Sequence, residues 1–303
     1  PARLYLGHRL AGLTAAVRAA GASGSLAGFD LEDFHPEESA FSLTDPAEQK
    51  ASSLLLKRLL PRCAHRTAAS PELAARAEAF TGQSLEVVLN VYPLAEAPVD
   101  PPVRKAVNAG SPAILTWFSQ TVGPHRGLEQ AVTILANCRT PTELHLRGIV
   151  SEEYQRSLQS HADRQGYLGT IRFLQTVAPP EVVRGVSEAD LGLSLELDSP
   201  PNRALCLPNK LFAYLLAGLP VWLSKTPAQQ AIANQLGSAA IVTDLSVPGD
   251  AAAAIDRFFE LPGRTEEARQ QAWELGRTRF CWDLEKSRFL RSIAEALQSS
   301  SWA

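Results

Sequence analysis

The chain contains no methionine, not even at position 1, and is therefore expected to be a processed or truncated version of something longer. Cysteine is scarce: Cys63, Cys138, Cys206 and Cys281 stand far apart with no paired metal-ligand spacing. That excludes a zinc-binding pattern and a disulfide framework, and reads as buried thiols in a reducing compartment. No apolar run reaches the length of a membrane span, and the first residues lack the basic-then-apolar pattern of a signal peptide, so the expected location is cytoplasmic. Excess charge is missing too. A formal net charge of −3 gives no reason to expect a polyanion such as nucleic acid as the main partner. Nor is there an internal repeat at a short period, which sets solenoids aside.

What is present is ordinary globular composition, 45% hydrophobic and 20% charged over 303 residues, more chain than one hydrophobic core usually supports. From residue 113 onward short β-rich runs, at 114–120, 143–147, 171–177, 191–197, 220–224 and 239–243, alternate with amphipathic helical stretches. The first half repeats this rhythm at 3–8, 26–30, 66–69 and 87–90. Strict strand and helix alternation implies right-handed crossovers and parallel sheets with helices on both faces. Between Leu94 and Pro112 lies Leu-Ala-Glu-Ala-Pro-Val-Asp-Pro-Pro, a proline-rich connector. The expected organisation is thus two α/β domains, 1–112 and 113–303, the second closing on a helix over 283–297 that carries Leu284, Phe289, Ile293 and Leu297.

In open parallel sheets ligands bind beyond the carboxyl ends of the strands, which directs attention to two loops. After the strand at 114–120 comes Thr121-Val-Gly-Pro-His-Arg-Gly-Leu-Glu129, opening a helix. Gly123 and Gly127 permit such a turn to aim backbone N–H groups and the positive end of a helix dipole above the sheet, and Arg126 adds a full charge; a diphosphate uses these features together. A plain strand-to-helix turn with a surface arginine is the alternative. The second loop leads into Asn202-Arg-Ala-Leu-Cys-Leu-Pro-Asn-Lys-Leu-Phe-Ala-Tyr-Leu-Leu-Ala-Gly-Leu-Pro220. Asn209 is suited to cap a helix striped by Leu211, Phe212, Leu215 and Leu216, and Gly218 with Pro220 stops it. Lys210, in the first turn, opposes the helix dipole, which a nearby anion would offset; a solvated lysine is the alternative.

The segment Pro208-Asn-Lys-Leu-Phe, with Tyr214 and Ala217-Gly-Leu-Pro-Val221, resembles the donor-site signature of the family 4 glycosyltransferases. Trp117-Phe-Ser-Gln-Thr-Val-Gly-Pro-His-Arg-Gly-Leu-Glu129, Leu146-Arg-Gly148, Ala189-Asp-Leu-Gly192, Val247-Pro-Gly-Asp250 and Trp282-Asp-Leu-Glu-Lys286 fall in that family's order. Gly28-Phe-Asp-Leu-Glu-Asp-Phe-His35, Ala69-Ser-Pro71 and Asn90-Val-Tyr-Pro-Leu94 resemble its acceptor-side domain. The resemblance implies a GT-B fold, two Rossmann-like domains with a cleft between them, and transfer of a sugar from a nucleotide-diphosphate donor with retention of configuration. It implies no metal and no cofactor: Arg126, Lys210 and backbone N–H groups would stabilise the departing diphosphate. By the same resemblance His8 is a cleft histidine, a histidine satisfied by backbone being the alternative; Glu196 or Asp198, at the strand end just before the motif, is a candidate for the ribose contact, an exposed loop acid being the alternative. Gly123, Gly127, Glu196, Asn202, Asn209 and Leu211 are the donor-side candidates, Glu32 and Asp33 the acceptor-side ones.

Two positions depart from the family pattern, where paired glutamates read as Leu205 and Ala213. These, with a first domain expected to start at a later strand than usual, keep open a catalytically inactive GT-B-like nucleotide-sugar-binding or scaffold protein. A two-domain solute-binding protein is a third class, but it would carry an export signal. The implied partners are the nucleotide sugar and a glycan or lipid-linked acceptor in polysaccharide biosynthesis. Peripheral association with the inner face of a membrane and homo-oligomerisation both stay open.

Overall fold

The computed structural model describes residues 2–38, 46–101 and 111–299. Along the first half, strands β1 (Leu4–His8), β2 (Leu26–Leu31), β3 (His65–Ala68) and β4 (Glu86–Val87) alternate with helices α1 (Arg9–Ser23), α2 (Pro46–Leu59) and α3 (Pro71–Thr81). All pairings are parallel, in the chain order β1-β2-β3-β4. Strand alternation sends Ala27, Phe29 and Leu31 to one face, where Leu13, Val17, Leu56 and Leu73 of the three helices, with Leu60 just after α2, complete the core. Gly28 faces the other way, where an added Cβ would meet Leu6 and His65. Helix α1 packs closely on the end of β1: a Cβ on Gly7 would lie 2.3 Å from Gly12 O.

The second half contributes β5 (Ala113–Val122), α4 (Leu128–Leu135), β6 (Thr142–Val150), α5 (Glu152–Gln165), β7 (Thr170–Leu174), α6 (Val182–Val186) and β8 (Leu191–Ser194). After the short helix α7 (Pro201–Leu205) come α8 (Asn209–Leu216), β9 (Val221–Ser224), α9 (Pro227–Leu236), β10 (Ala240–Thr243), α10 (Pro248–Glu260), α11 (Arg264–Thr278) and α12 (Trp282–Ser299). The parallel second sheet runs β10-β9-β8-β5-β6-β7. Its order reverses between β5 and β8, which makes their carboxyl ends the topological switch point. All ten strands expected from periodicity are present, in two parallel sheets.

Compactness divides the chain differently from a single cut at 112. One unit holds 1–90, 198–207 and 283–303; the other holds 91–197 and 208–282. Polar anchors explain the returns. Glu285 accepts the Leu89 N–H (3.2 Å), His65 pairs with Ser292 (2.9 Å), and the His65 and Phe289 rings meet edge to face at 5.3 Å, so the terminal helix belongs to the first unit rather than the second. Ser70 donates to Leu205 O (2.6 Å), fastening the 198–207 segment to the same unit. The proline-rich stretch is packed in part: Arg277 donates to Pro98 O and Arg184 to Ala95 O, both within the second unit. The remainder of that connector, 102–110, lies outside the described residues.

Candidate functional site

The switch point of the second sheet is built by packing that begins inside the strands. Against β6, β5 carries one extra residue between Phe118 and Thr121, a bulge that bends its end. Gly148 accommodates it: its φ is +152°, and a Cβ there would lie 2.5 Å from Ser119 O. Beyond β5, His125 takes a left-handed φ of 60° and Gly127 one of 76°. A Cβ on Gly127 would stand 2.9 Å from Leu195 Cβ. The loop after β5 therefore closes onto the residue following β8, and only glycine meets both demands at 127. Gly123 is under neither constraint, since a Cβ there would touch nothing within 4 Å.

Two helices start at this point, α4 after Gly127 and α8 after Pro208, and neither has a side chain capping its first N–H groups. Asn209 is the first helical residue and exposed, not the cap expected from the sequence, because Pro208 occupies that place. Uncapped amino ends leave backbone donors and positive dipole charge for an anion. Arg126, half-buried, stands on the loop after β5. Lys210 is buried, its Nζ 5.3 Å from the centroid of Trp117 in β5, a cation–π contact that ties α8 to the neighbouring strand.

The other motif residues hold this frame. Leu211 is fully buried. The Tyr214 hydroxyl lies 3.2 Å from both Thr116 O of β5 and Leu193 O of β8, and burial pushes its pKa well above the usual phenol value. A Cβ on Gly192 would be 2.4 Å from the Tyr214 ring, so glycine there makes room for the clamp. Gly218, at φ 71°, ends α8 with the paired bonds Leu219 N to Tyr214 O and Gly218 N to Leu215 O, a Schellman stop. Asp190 accepts from Ile114 N–H (2.8 Å) and from Arg269 (2.9 Å). Glu129 accepts the Tyr154 hydroxyl (2.8 Å), fixing α4 to α5. Glu196 gives its N–H to Ser224 Oγ (2.8 Å), and Ser224 is joined to Gln229 (3.0 Å). This buried serine–glutamine network at the ends of β8 and β9 carries no sequence signal that separates it from ordinary helix and strand positions.

The acceptor-side candidates gather at the carboxyl ends of β1 and β2. His8 Nδ1 stands 3.3 Å from Asp30 Oδ2, and Thr67 donates to Asp30 Oδ1 at 2.7 Å. Sequence reading passed over Asp30, although its register places it directly beside His8. Glu32 is exposed. Asp33 is occupied otherwise: it accepts from Asn202 Nδ2 (2.7 Å), whose Oδ1 accepts the Phe34 N–H (2.6 Å). Asp33 and Asn202, assigned to different substrates from sequence, thus meet as a structural pair in the first unit. His35 pairs with Glu38 (2.8 Å), and this contact, with Arg9 nearby, holds the Glu38 carboxyl below its ordinary pKa. A cavity of about 370 Å³ lies at the amino ends of β6 and β7, lined by Tyr167, Leu168 and Arg139, at the opposite end of the strands from the switch point.

No family model matches the chain, and no curated protein matches its sequence. Solved structures do match. HepE of Anabaena, in complex with UDP and glucose, aligns with a TM-score of 0.74 at 16% identity, over 96% of this chain and 78% of that one. Sucrose-phosphate synthase of Thermosynechococcus elongatus gives 0.73 at 13% identity, over 99% and 72%. The UDP-forming α,α-trehalose-phosphate synthase of Burkholderia vietnamiensis gives 0.69 at 14%, over 98% and 71%. These neighbours are GT-B glycosyltransferases, and at such identities the likeness establishes the fold.

Proposed function

We propose that the chain transfers a sugar from a nucleotide-diphosphate donor to a glycan or lipid-linked acceptor, with retention of configuration, in polysaccharide assembly. The observation that carries this reading is the pair of uncapped helix starts at the β5/β8 switch point, with Arg126 and Lys210 on the elements that form it. A diphosphate placed there meets backbone N–H groups and two cations, which stabilise the charge that develops as the sugar–phosphate bond breaks. No metal is needed for that step, and a leaving phosphate oxygen can take the acceptor's proton on the same face. His8, at the carboxyl end of the first sheet, would bind an acceptor or sugar hydroxyl. That HepE was captured with UDP and glucose makes a UDP-sugar the first donor to test.

A specific observation favours a second reading, a nucleotide-sugar-binding protein without turnover. Position 213, where the resembling family carries a carboxylate for the ribose, is alanine and fully buried. Melting the protein with UDP, GDP and ADP, followed by donor-hydrolysis assays, separates these readings. A transferase shows a melting-temperature rise with one nucleotide and slow hydrolysis of the matching sugar nucleotide, both reduced in Lys210→Ala and Arg126→Ala. A shift without turnover supports the binding protein. No shift with any nucleotide removes both.

A further inference from the structure

His8, Asp30 and Glu32 each offer one ligand atom, and the three atoms lie within 4.8 Å of one another. We propose that this group, in the first unit, binds a divalent transition-metal ion, an assignment that does not rest on the transferase reading and that competes with the direct hydroxyl contact given to His8 above. The framework is the sheet itself. His8 ends β1 and pairs in register with Asp30 of β2, so the two side chains rise from adjacent parallel strands, while Glu32 follows one residue after β2.

Spacing suits a shared ion. Ligands at about 2.1 Å from a metal stand roughly 3 to 3.4 Å apart at right or tetrahedral angles and about 4.2 Å apart when opposed. The His8 Nδ1 to Asp30 Oδ2 separation of 3.3 Å falls in the first range, and the Glu32 carboxylate, within 4.8 Å of both, is exposed and must close on the ion to join them. Outer support is in place as well. Asp30 Oδ1 is held at 2.7 Å by the hydroxyl of Thr67, which is fully buried; a ligand carboxylate fixed from behind in this way points its other oxygen outward with little loss of freedom.

The donor set decides which ions suit it. One imidazole nitrogen with two carboxylate oxygens favours manganese, iron, cobalt or zinc over calcium and magnesium. Three protein ligands leave coordination positions open, and the His8 side chain is 53% exposed, so an oxygen of a bound molecule can complete the sphere. The competing arrangement is the direct His8–Asp30 contact with no ion.

Cobalt(II) titration of the full chain, free of any histidine tag, distinguishes the two. Expected is one equivalent bound, with visible d–d absorption, and affinity falling at least tenfold in His8→Ala and in Asp30→Asn. Glu32→Gln reduces it as well, and Thr67→Val lowers it by roughly 10- to 100-fold through loss of the outer support. Asp30→Asn keeps an acceptor for Thr67, so it should melt as the parent does, and each variant's melting curve shows whether the fold is intact. Absence of stoichiometric binding, or equal affinity in parent, His8→Ala and Asp30→Asn, overturns the site in favour of the direct contact. The nucleotide-induced melting shift, which reports on the second unit, is read in the same samples, so failure of the metal site is not confused with failure of the donor site.

Discussion

Replacing Gly192 by alanine tests whether the switch point is held together by the Tyr214 clamp. The new Cβ would stand 2.4 to 2.7 Å from three ring carbons of Tyr214, inside van der Waals contact, so the ring must move. It has little room to do so, being fully buried, bound through its hydroxyl to carbonyls of β5 and β8, and stacked edge to face on Phe118 at 5.5 Å. Overpacking of this kind costs about 1 to 3 kcal/mol, and the immobility of the neighbour places Gly192→Ala near the upper value. In a domain of this size that is a melting-temperature loss of roughly 6 to 12 °C. Tyr214→Leu alone should cost about 2 to 4 kcal/mol through the cavity and the lost hydroxyl contacts. Joined to Gly192→Ala, it removes the ring that the methyl would strike. The double variant is therefore expected to be more stable than the sum of the singles predicts, by about 1 to 3 kcal/mol. Urea unfolding followed by circular dichroism supplies the four corners of the cycle. Gly123→Ala is the control, since its Cβ meets nothing, and should stay within about 0.5 kcal/mol of the parent. Additivity of the two substitutions to within about 0.5 kcal/mol would refute the clamp.

Asp190 and Arg269 form a buried ion pair at 2.9 Å, so Asp190→Ala should destabilise by about 3 to 5 kcal/mol, and replacing both by leucine and methionine should recover most of that loss in the same unfolding assay. Burial lowers the pKa of His65, so its unfolded form takes up a proton first as pH falls; the stability it contributes is present above about pH 6.5 and is lost on acidification toward its lower folded value, a loss that His65→Gln should abolish in melting curves between pH 5 and 8. Burial raises the pKa of Glu285. The sign reverses there: Glu285→Gln should remove a destabilising contribution that grows as pH rises above about 4.3, offset by the lost contact to Arg288. Cys63, buried and with its thiol pushed by burial up to about 11, should react with a thiol reagent only on unfolding, as mass spectrometry of the alkylated native protein would show.

The strands were legible because parallel strands covered on both faces read as short apolar runs between helical stretches, and that pattern is local in sequence. Domain membership was not. The return of 198–207 and 283–303 to the first unit depends on Asn202, Leu205, Glu285 and Ser292 meeting partners more than a hundred residues away, and a polar residue on an amphipathic segment gives no indication of which distant loop will satisfy it. Asn209 failed as a cap for a local reason: Pro208, with φ −63° and ψ 140°, already holds the extended conformation that precedes a helix. Asp30 was missed because a single acid inside a strand looks like any half-exposed position until register sets it beside His8.

The motif that first drew attention to α8 combines two demands that sequence alone cannot separate. Seven of its eight residues are buried, Lys210 through Leu216, and Leu211, Tyr214 and Gly218 are explained by packing, the strand clamp and the helix stop. A protein that only bound nucleotide sugars would keep all three, because the second sheet requires them whatever the chemistry. Lys210 differs. A cation in the first turn opposes the helix dipole, its burial removes water from the charge, and the Trp117 ring is one of the groups that offset that cost. Packing would be served as well by leucine or methionine at this position. Lys210→Met should therefore weaken nucleotide binding by more than its effect on folding stability accounts for, and a variant that lost stability and binding in proportion would return the lysine to the frame.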